Sequence, residues 1–378
     1  MHIVIASAFD PIPSDGVSLG RYHFLATALI ERGHTVTYLC SQFMHTKKVF
    51  RSATEVITGG IRYIKVPTSA YASNNAIARL LNHFKLGRNV KRILKEVSQK
   101  KQIDLIICAS PPLFWGNAIL KFSKKNSIKS VLDIQDNWPK ALESVNGLLY
   151  KTTLNALPLQ VLKTQNINLA DAITAVSSDY ISGLAKIKGR VFYLGAPIAK
   201  IQEVLKNNVY KPSEKIKLVF LGNTSTHKYL LLFLNKNADQ NIEVNYIGEC
   251  NDERIKNHQL IRYHGRLYDD ALFNALSLND YGLFINDTYK QIKMPNKLFY
   301  YWGCGLPVLG IDIHGEALEL IKTMGGLVFN NEMPNMINLK KQSEKTNREE
   351  IKQKALKFFD EKIIYKEFTI FLEQLAKK

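Results

Sequence analysis

Short apolar runs that stop at a glycine restrict the fold of this chain more than any other feature. Lys217 to Leu221 is followed by Gly222, and Glu243 to Ile247 by Gly248. Runs this short and this apolar suit strands covered on both faces, the condition of a parallel sheet. The first half carries similar short runs, most of them without the closing glycine. His2 to Ala6, Thr35 to Cys40, Gly60 to Val66, Asp104 to Ala109, Ser130 to Ile134, Ala172 to Val176 and Val191 to Leu194 read as strands. Arg21 to Arg32 reads as a helix, ended by Gly33, because glycine takes a left-handed conformation cheaply. After Gly248, the runs Arg262 to His264, Tyr281 to Ile285, Pro307 to Gly310 and Leu327 to Phe329 complete a second series. Repeated βα units predict an α/β chain with helices on both faces of parallel sheets.

The length of 378 residues exceeds the roughly 100–200 of one domain. Gly195-Ala196-Pro197-Ile198 breaks the pattern and marks a hinge. The expected domains are 1–196 and 197–356, both Rossmann-like. Residues 357–378 are expected as a helix that packs back on the N-terminal domain. Phe358, Phe359, Phe368 and Phe371 are its candidate anchors.

Hydrophobic residues make up 46% of the chain, enough for full cores. Cys40, Cys108, Cys250 and Cys304 are far apart and lack metal-ligand spacing, which points to reduced, packed thiols in a cytoplasmic protein. No secretory leader is evident, and no run of ~20 apolar residues exists. The net charge of +18 favours anionic partners: nucleic acid, phospholipid headgroups or diphosphates. No zinc finger, RNP signature or basic region with heptads is present, so nucleic acid is not expected. Between Asn74 and Lys101, apolar Ile77, Leu80, Leu81, Phe84, Val90, Ile93 and Leu94 mix with Arg79, His83, Lys85, Arg88, Lys91, Arg92 and Lys95. That pattern fits a core-packing helix with a solvated basic face, or one lying in a membrane interface over about 76–97.

Ligands of open α/β sheets bind beyond the carboxyl ends of strands, so the loops there are where chemistry is sought. Met294-Pro295-Asn296-Lys297-Leu298-Phe299-Tyr300-Tyr301-Trp302-Gly303-Cys304-Gly305-Leu306-Pro307 stands out. A helix starting near Pro295 would direct free backbone N–H groups and a positive dipole end at a phosphate. Lys293 and Lys297 add charge, and Gly303 and Gly305 permit a tight turn into the next strand.

This segment resembles the PNK-x-x-E-Y-x-x-x-G-x-P-V stretch of GT-B glycosyltransferases, especially glycosyltransferase family 4. Asn168 to Ser177 resembles the family's ADAVIAVS strand. Leu221-Gly222, with Lys228 soon after, resembles its glycine loop, and Tyr263 to Leu267 its V-x-F-x-G-R-V strand. Leu132 to Pro139 resembles the DIRDLWP stretch of bacterial surface-polysaccharide members. The resemblance spans nearly the whole chain. It implies a GT-B fold, two Rossmann-like domains facing across a cleft, and a nucleotide-sugar donor, a UDP-sugar, bound by the C-terminal domain. Gly222, Lys228, Arg266, Leu267, Lys293, Met294, Pro295, Asn296, Lys297 and Tyr300 are the implied donor-binding residues. Tyr300 and Ile292 stand where the family places an acidic pair that clasps the ribose and donor sugar. A tyrosine hydroxyl is a weaker partner for a diol than a carboxylate. The Lys297–Tyr301 pattern is closer to the MKLLQY stretch of xanthan-type, inverting glucuronosyltransferases, where Lys297 would contact the donor diphosphate.

Inverting transfer needs a base for the acceptor hydroxyl, and Asp136 and Asp133 are the candidates. Asp133 or Asp136 as a turn cap is the structural alternative. The loop after the first strand implies Asp10, Gly16, Gly20 and Arg21 as acceptor-binding, or otherwise a plain turn and helix cap. GT-B enzymes need no metal for the leaving diphosphate, so neither metal nor cofactor is expected. The related bacterial enzymes act on lipid-linked acceptors. The implied acceptor is therefore a polyprenyl diphosphate saccharide in surface polysaccharide synthesis. The implied location is cytoplasmic, peripheral on the inner face of the cytoplasmic membrane through the basic helix. Rival readings are a UDP-sugar 2-epimerase of the same fold and a non-catalytic sugar- or lipid-binding module.

Overall fold

The computed structural model describes residues 1–72, 77–136, 166–182, 184, 189–222, 227–237, 241–285, 294–329 and 335–377. The chain divides into two compact units, Met1–Tyr193 with Tyr365–Lys378, and Leu194–Ile364.

The first unit is built on β1 (His2–Ala6), β2 (Thr35–Ser41), β5 (Glu55–Thr58), β6 (Ile61–Val66), β7 (Leu105–Ser110), β8 (Lys129–Ile134), β9 (Ala172–Ala175) and β10 (Gly189–Val191). Their order is β10-β9-β8-β7-β1-β2-β6-β5. Every neighbouring pair is parallel except β5 with β6. β1 and β7 are buried along their whole length, which is why they carry no polar alternation. A short hairpin, β3 (Phe43–Met44) with β4 (Val49–Phe50), stands apart. Neither that hairpin nor β5 was expected from sequence, because both are short and their residues are partly exposed. Helices α1 (Arg21–Glu31), α2 (Ile77–Lys100) and α3 (Leu113–Lys125) cover the sheet. Gly33 ends α1 with a positive φ of 79°, and the backbone N–H groups of Gly33 and His34 reach back to Ile30 and Leu29.

One buried polar knot ties this unit together. Asp133 on β8 is fully buried. Its carboxylate accepts from Arg21 Nε at 2.8 Å and Nη2 at 3.2 Å, from the Tyr22 hydroxyl at 2.8 Å and from the Thr174 hydroxyl. Arg21 Nη1 donates to the carbonyls of Phe192 at 2.9 Å and Tyr193 at 3.1 Å. The guanidinium lies 5.1 Å from the Phe368 ring centre, and Phe368 stacks on Phe192 at 4.2 Å. A second buried pair, Arg51 with Asp15 at 2.6 Å, joins β4 to the loop after β1.

The second unit has six parallel strands: β11 (Ile216–Leu221), β12 (Ile242–Ile247), β13 (Ile261–Gly265), β14 (Tyr281–Ile285), β15 (Val308–Ile311) and β16 (Leu327–Phe329). The order is β13-β12-β11-β14-β15-β16. Its helices are α4 (Ile198–Leu205), α5 (His227–Lys236), α6 (Glu253–Lys256), α7 (Asp269–Ser277), α8 (Lys297–Gly303), α9 (Glu316–Thr323), α10 (Met336–Lys345) and α11 (Arg348–Phe359). A last helix, α12 (Glu361–Ala376), runs from this unit into the first. Of the four expected phenylalanine anchors, Phe359 and Phe368 are buried, whereas Phe358 is 52% exposed. Adjacent helical positions point in different directions, so Phe358 and Phe359 cannot both face inward. No described helix is long and apolar enough to cross a membrane.

Arg21→Met leaves Asp133 buried without a cation. It should cost about 3–5 kcal/mol in denaturant unfolding. The double change Arg21→Met with Asp133→Leu should cost less than the single one.

Candidate functional site

In the second unit, β12 flanks β11 on one side and β14 on the other, so the crossover direction changes between β11 and β14. Such a switch point opens a crevice at the carboxyl ends of the strands. Lys297 sits there. Its ammonium donates to the Leu221 carbonyl at 3.0 Å and lies 4.7 Å from the Phe220 ring and 5.3 Å from the Phe284 ring. Burial lowers its pKa from 10.5 to about 8.

Helix α8 is held in place by Tyr301. The Tyr301 hydroxyl accepts from the Leu221 N–H at 2.9 Å and lies 3.2 Å from the Val219 carbonyl. A Cβ on Gly282 would come within 2.3 Å of the Tyr301 ring, so only glycine lets the tyrosine lie on β14. Gly248 plays the matching role for the loops. Its φ is 139°, and a Cβ there would meet the Gly222 carbonyl oxygen at 1.8 Å. The loop after β12 therefore rests directly on the loop after β11. Beyond β13, Arg266 reaches Glu249 at 2.8 Å, both side chains exposed, and its Nη1 lies 3.4 Å from the Tyr268 hydroxyl.

Gly222, Arg266, Leu267, Pro295, Asn296 and Lys297 thus come to one edge of the second sheet. Met294 does not join them as a contact residue: it is 5% exposed and packs inward. Tyr300 is half-buried with its ring against Phe273 of α7, 6.4 Å away, and burial raises its pKa. Helix α8 starts at Lys297, not at Pro295, and has seven residues. So short a helix adds little dipole, and Lys297 carries the local positive charge. Lys228 lies on α5, its side chain outside the described residues, as are Lys293 and Ile292.

At the carboxyl edge of the first sheet, two sequence expectations give way. Asp133 is a poor base, because burial and four donated hydrogen bonds leave no room for an acceptor hydroxyl. Arg21 is equally unavailable to an acceptor, since it is 4% exposed and committed to Asp133. Gly20 permits a different approach from the expected one: a Cβ there would lie 3.4 Å from Asp10 Oδ2. Asp10 itself is half-buried and faces the start of α1. Burial pushes its carboxyl up to about 6, against the pull of the Tyr22 N–H and the Arg21 charge. Gly16 closes the turn Pro13–Asp15 in a left-handed conformation and borders open space. Asp136 is exposed just past β8, within the field of Arg79 and Tyr180. Sequence reasoning passed over His45, Lys48 and Tyr71, which share this edge with Phe9, Arg79 and His83.

The expected apolar face of α2 is also divided. Leu86, Val90, Ile93, Leu94 and Val97 are buried in the core beneath it. Leu81 and Phe84, each 56% exposed, remain outside, followed by exposed Lys85, Arg88, Lys91, Arg92 and Lys95. Among the described residues, no group of three or more His, Cys, Asp or Glu could hold a metal ion.

No protein-family model matches the chain, and no curated protein matches it by sequence. Solved structures do match over nearly the full length. Sucrose-phosphate synthase from Thermosynechococcus elongatus gives a TM-score of 0.70 at 13% identity, covering 99% of this chain and 98% of that one. A glycosyltransferase from Rickettsia africae gives 0.60 at 15% identity, covering 100% and 99%. Anabaena HepE in complex with UDP-glucose gives 0.60 at 12% identity, covering 99% and 100%. The fold is GT-B. In that fold, each Rossmann-like unit offers the carboxyl edge of its parallel sheet to ligands. Lys297 and Asp10 lie at the carboxyl edges of the two parallel sheets.

An unfolded lysine keeps its proton up to about 10.5, whereas folded Lys297 loses it near 8. Between these values the unfolded chain binds more protons, so this group makes stability rise with pH across that window. Compared with Lys297→Met, the ligand-free wild type should gain stability from pH 8 to 10, read by chemical denaturation.

Proposed function

We propose that this chain transfers a sugar from a nucleotide diphosphate donor, a UDP-sugar, to a hydroxyl of a lipid-linked saccharide in surface polysaccharide synthesis. The observation that carries the reading is Lys297 at the switch point of the second sheet, beside the contacting glycines Gly222 and Gly248. A lysine whose ammonium is disfavoured by burial gains most from a diphosphate, which restores its charge. It would hold the leaving diphosphate as negative charge develops on it. Arg266, Leu267 and exposed Tyr268 would flank the nucleobase. HepE, a structure of the same fold, is a complex with UDP-glucose, which supports the choice of nucleotide.

On the first sheet, Asp136 is the proposed base: it is exposed, lies just past a parallel strand and can approach an acceptor hydroxyl. Asp10 gives a second reading, because a carboxyl raised to about 6 suits proton transfer near neutral pH. The exposed stripe of α2, with Leu81 and Phe84 leading into five cations, supports contact with an anionic membrane surface.

A thermal-shift screen of UDP-, GDP- and dTDP-sugars tests the donor. UDP-sugars should raise Tm, and Lys297→Met should abolish the response. No response to any nucleotide-sugar would remove the transferase reading. A product analysis tests the chemistry: donor and acceptor together should give a new glycoside, whereas donor converted without acceptor would indicate an epimerase. In the same assay, Asp136→Asn should lose turnover while keeping the donor shift. An active Asp136→Asn beside an inactive Asp10→Asn moves the base to Asp10.

A further inference from the structure

The second unit carries a cavity of about 630 Å³, within the range of small-molecule sites. Tyr210 lines it and anchors it to the amino ends of β11 and β14. The Tyr210 hydroxyl donates to Asp280, the residue before β14. Asp280 is 1% exposed, and its carboxylate also accepts from the Lys217 N–H at 2.7 Å, the Lys340 ammonium at 3.0 Å and the Ser343 hydroxyl at 3.0 Å. Lys297 bonds Leu221, at the other end of β11. Lys217 and Leu221 are about 13 Å apart along the strand, so the cavity is separate from the Lys297 edge.

The walls are set before any ligand arrives. Arg348, at the start of α11, lays its guanidinium 3.5 Å from the Tyr210 ring centre. It donates to the carbonyls of Ser277, at 3.2 Å, and Asn279. The segment after α4, the end of α7 and the start of α11 are thereby tied together, and a preformed site loses little freedom on binding.

The lining selects among ligand classes. Asn207, Asn208 and Asn274 are exposed amides, and an amide both donates and accepts. Asn208 Nδ2 donates to Asn274 Oδ1 at 2.6 Å, which leaves, among the described residues, the Asn274 NH2 and the Asn208 oxygen for a ligand. Glu349 adds a carboxylate and Lys352 an ammonium, 3.5 Å apart. Leu278, 57% exposed, and Val209, 76% exposed, add apolar surface. A carboxylate or a phosphate dianion only accepts, so the amide oxygens and Glu349 would face it unpaired. A purely apolar ligand would dehydrate the amides without replacing their bonds. A sugar hydroxyl donates and accepts, and the C–H face of a pyranose suits Leu278 and Val209.

We propose that this cavity is a second saccharide-binding site, which takes a neutral oligosaccharide through Asn208, Asn274, Glu349 and Leu278. The proposal goes beyond the transferase reading and stands without it. A glycan held at the amino edge of the second sheet does not compete with a nucleotide at the carboxyl edge.

The test is an NMR titration of the nitrogen-15-labelled full chain with four neutral trisaccharides: maltotriose, cellotriose, mannotriose and triacetylchitotriose. At least one, at millimolar concentration, should shift the side-chain amide resonances of Asn208 and Asn274. Asn274→Leu and Leu278→Glu should each weaken that binding about fivefold or more. Both positions are exposed, and an unchanged Tm checks that the variants are folded. UDP should not displace the sugar, and Lys297→Met should leave its affinity unchanged. The proposal is overturned by amide resonances that none of the four sugars moves. Inorganic phosphate moving them in place of a sugar, UDP displacing the sugar, or folded Asn274→Leu binding as tightly as wild type would overturn it as well.

Discussion

The first unit depends on a single buried carboxylate. Asp133 carries a full charge where water does not reach, and such a charge is tolerable only with its partners in place. Satisfying it fixes the start of α1 through Arg21 and Tyr22, the strand β9 through Thr174, and the backbone at Phe192 and Tyr193 through Arg21. These groups border the carboxyl edge of the sheet around β8 and β9. The loop after β1 enters α1 directly, and the raised carboxyl of Asp10 owes part of its environment to the same pair. The knot is therefore a positioning device for the edge, although it touches no ligand.

The second unit solves the same task with an aromatic instead of a charge. Tyr301 hydrogen-bonds the backbone of β11 and lies on Gly282 of β14, so α8 is pinned across the switch point. Lys297, one turn earlier on that helix, is thereby aimed at the end of β11. A lysine placed by a rigid tyrosine loses little freedom when it engages an anion.

The fold was legible because a parallel sheet leaves a strong trace: short apolar runs, two of them ended by glycine, at Leu221-Gly222 and Ile247-Gly248. The place of Lys297 beside the end of β11 was legible from its motif. The edge around Asp133 was not. Asp133 follows an apolar run just as a catalytic aspartate would, and no local feature shows that Arg21, 112 positions earlier, neutralises it. Nor does sequence spacing bring His45 and Tyr71 together, because they come from the β3–β4 turn and the segment after β6. On α2, the sequence shows which residues are apolar but not the direction in which they point. Helical periodicity gives a face, and only the packed core tells which face is covered.

The contact of α12 with the first unit has a consequence for how the chain is made. Arg32 grips Glu373 at 2.7 Å across 341 positions, and Phe368 covers the Arg21 guanidinium. The ribosome therefore releases nearly two hundred residues of the first unit long before their closing piece exists. Until the whole second unit has been synthesised, the aromatic lid over Arg21 and Asp133 is missing, and the nascent first unit must persist unsealed. Contacts so distant along the chain form late and slowly. At that stage Phe192 still lacks its stacking partner Phe368.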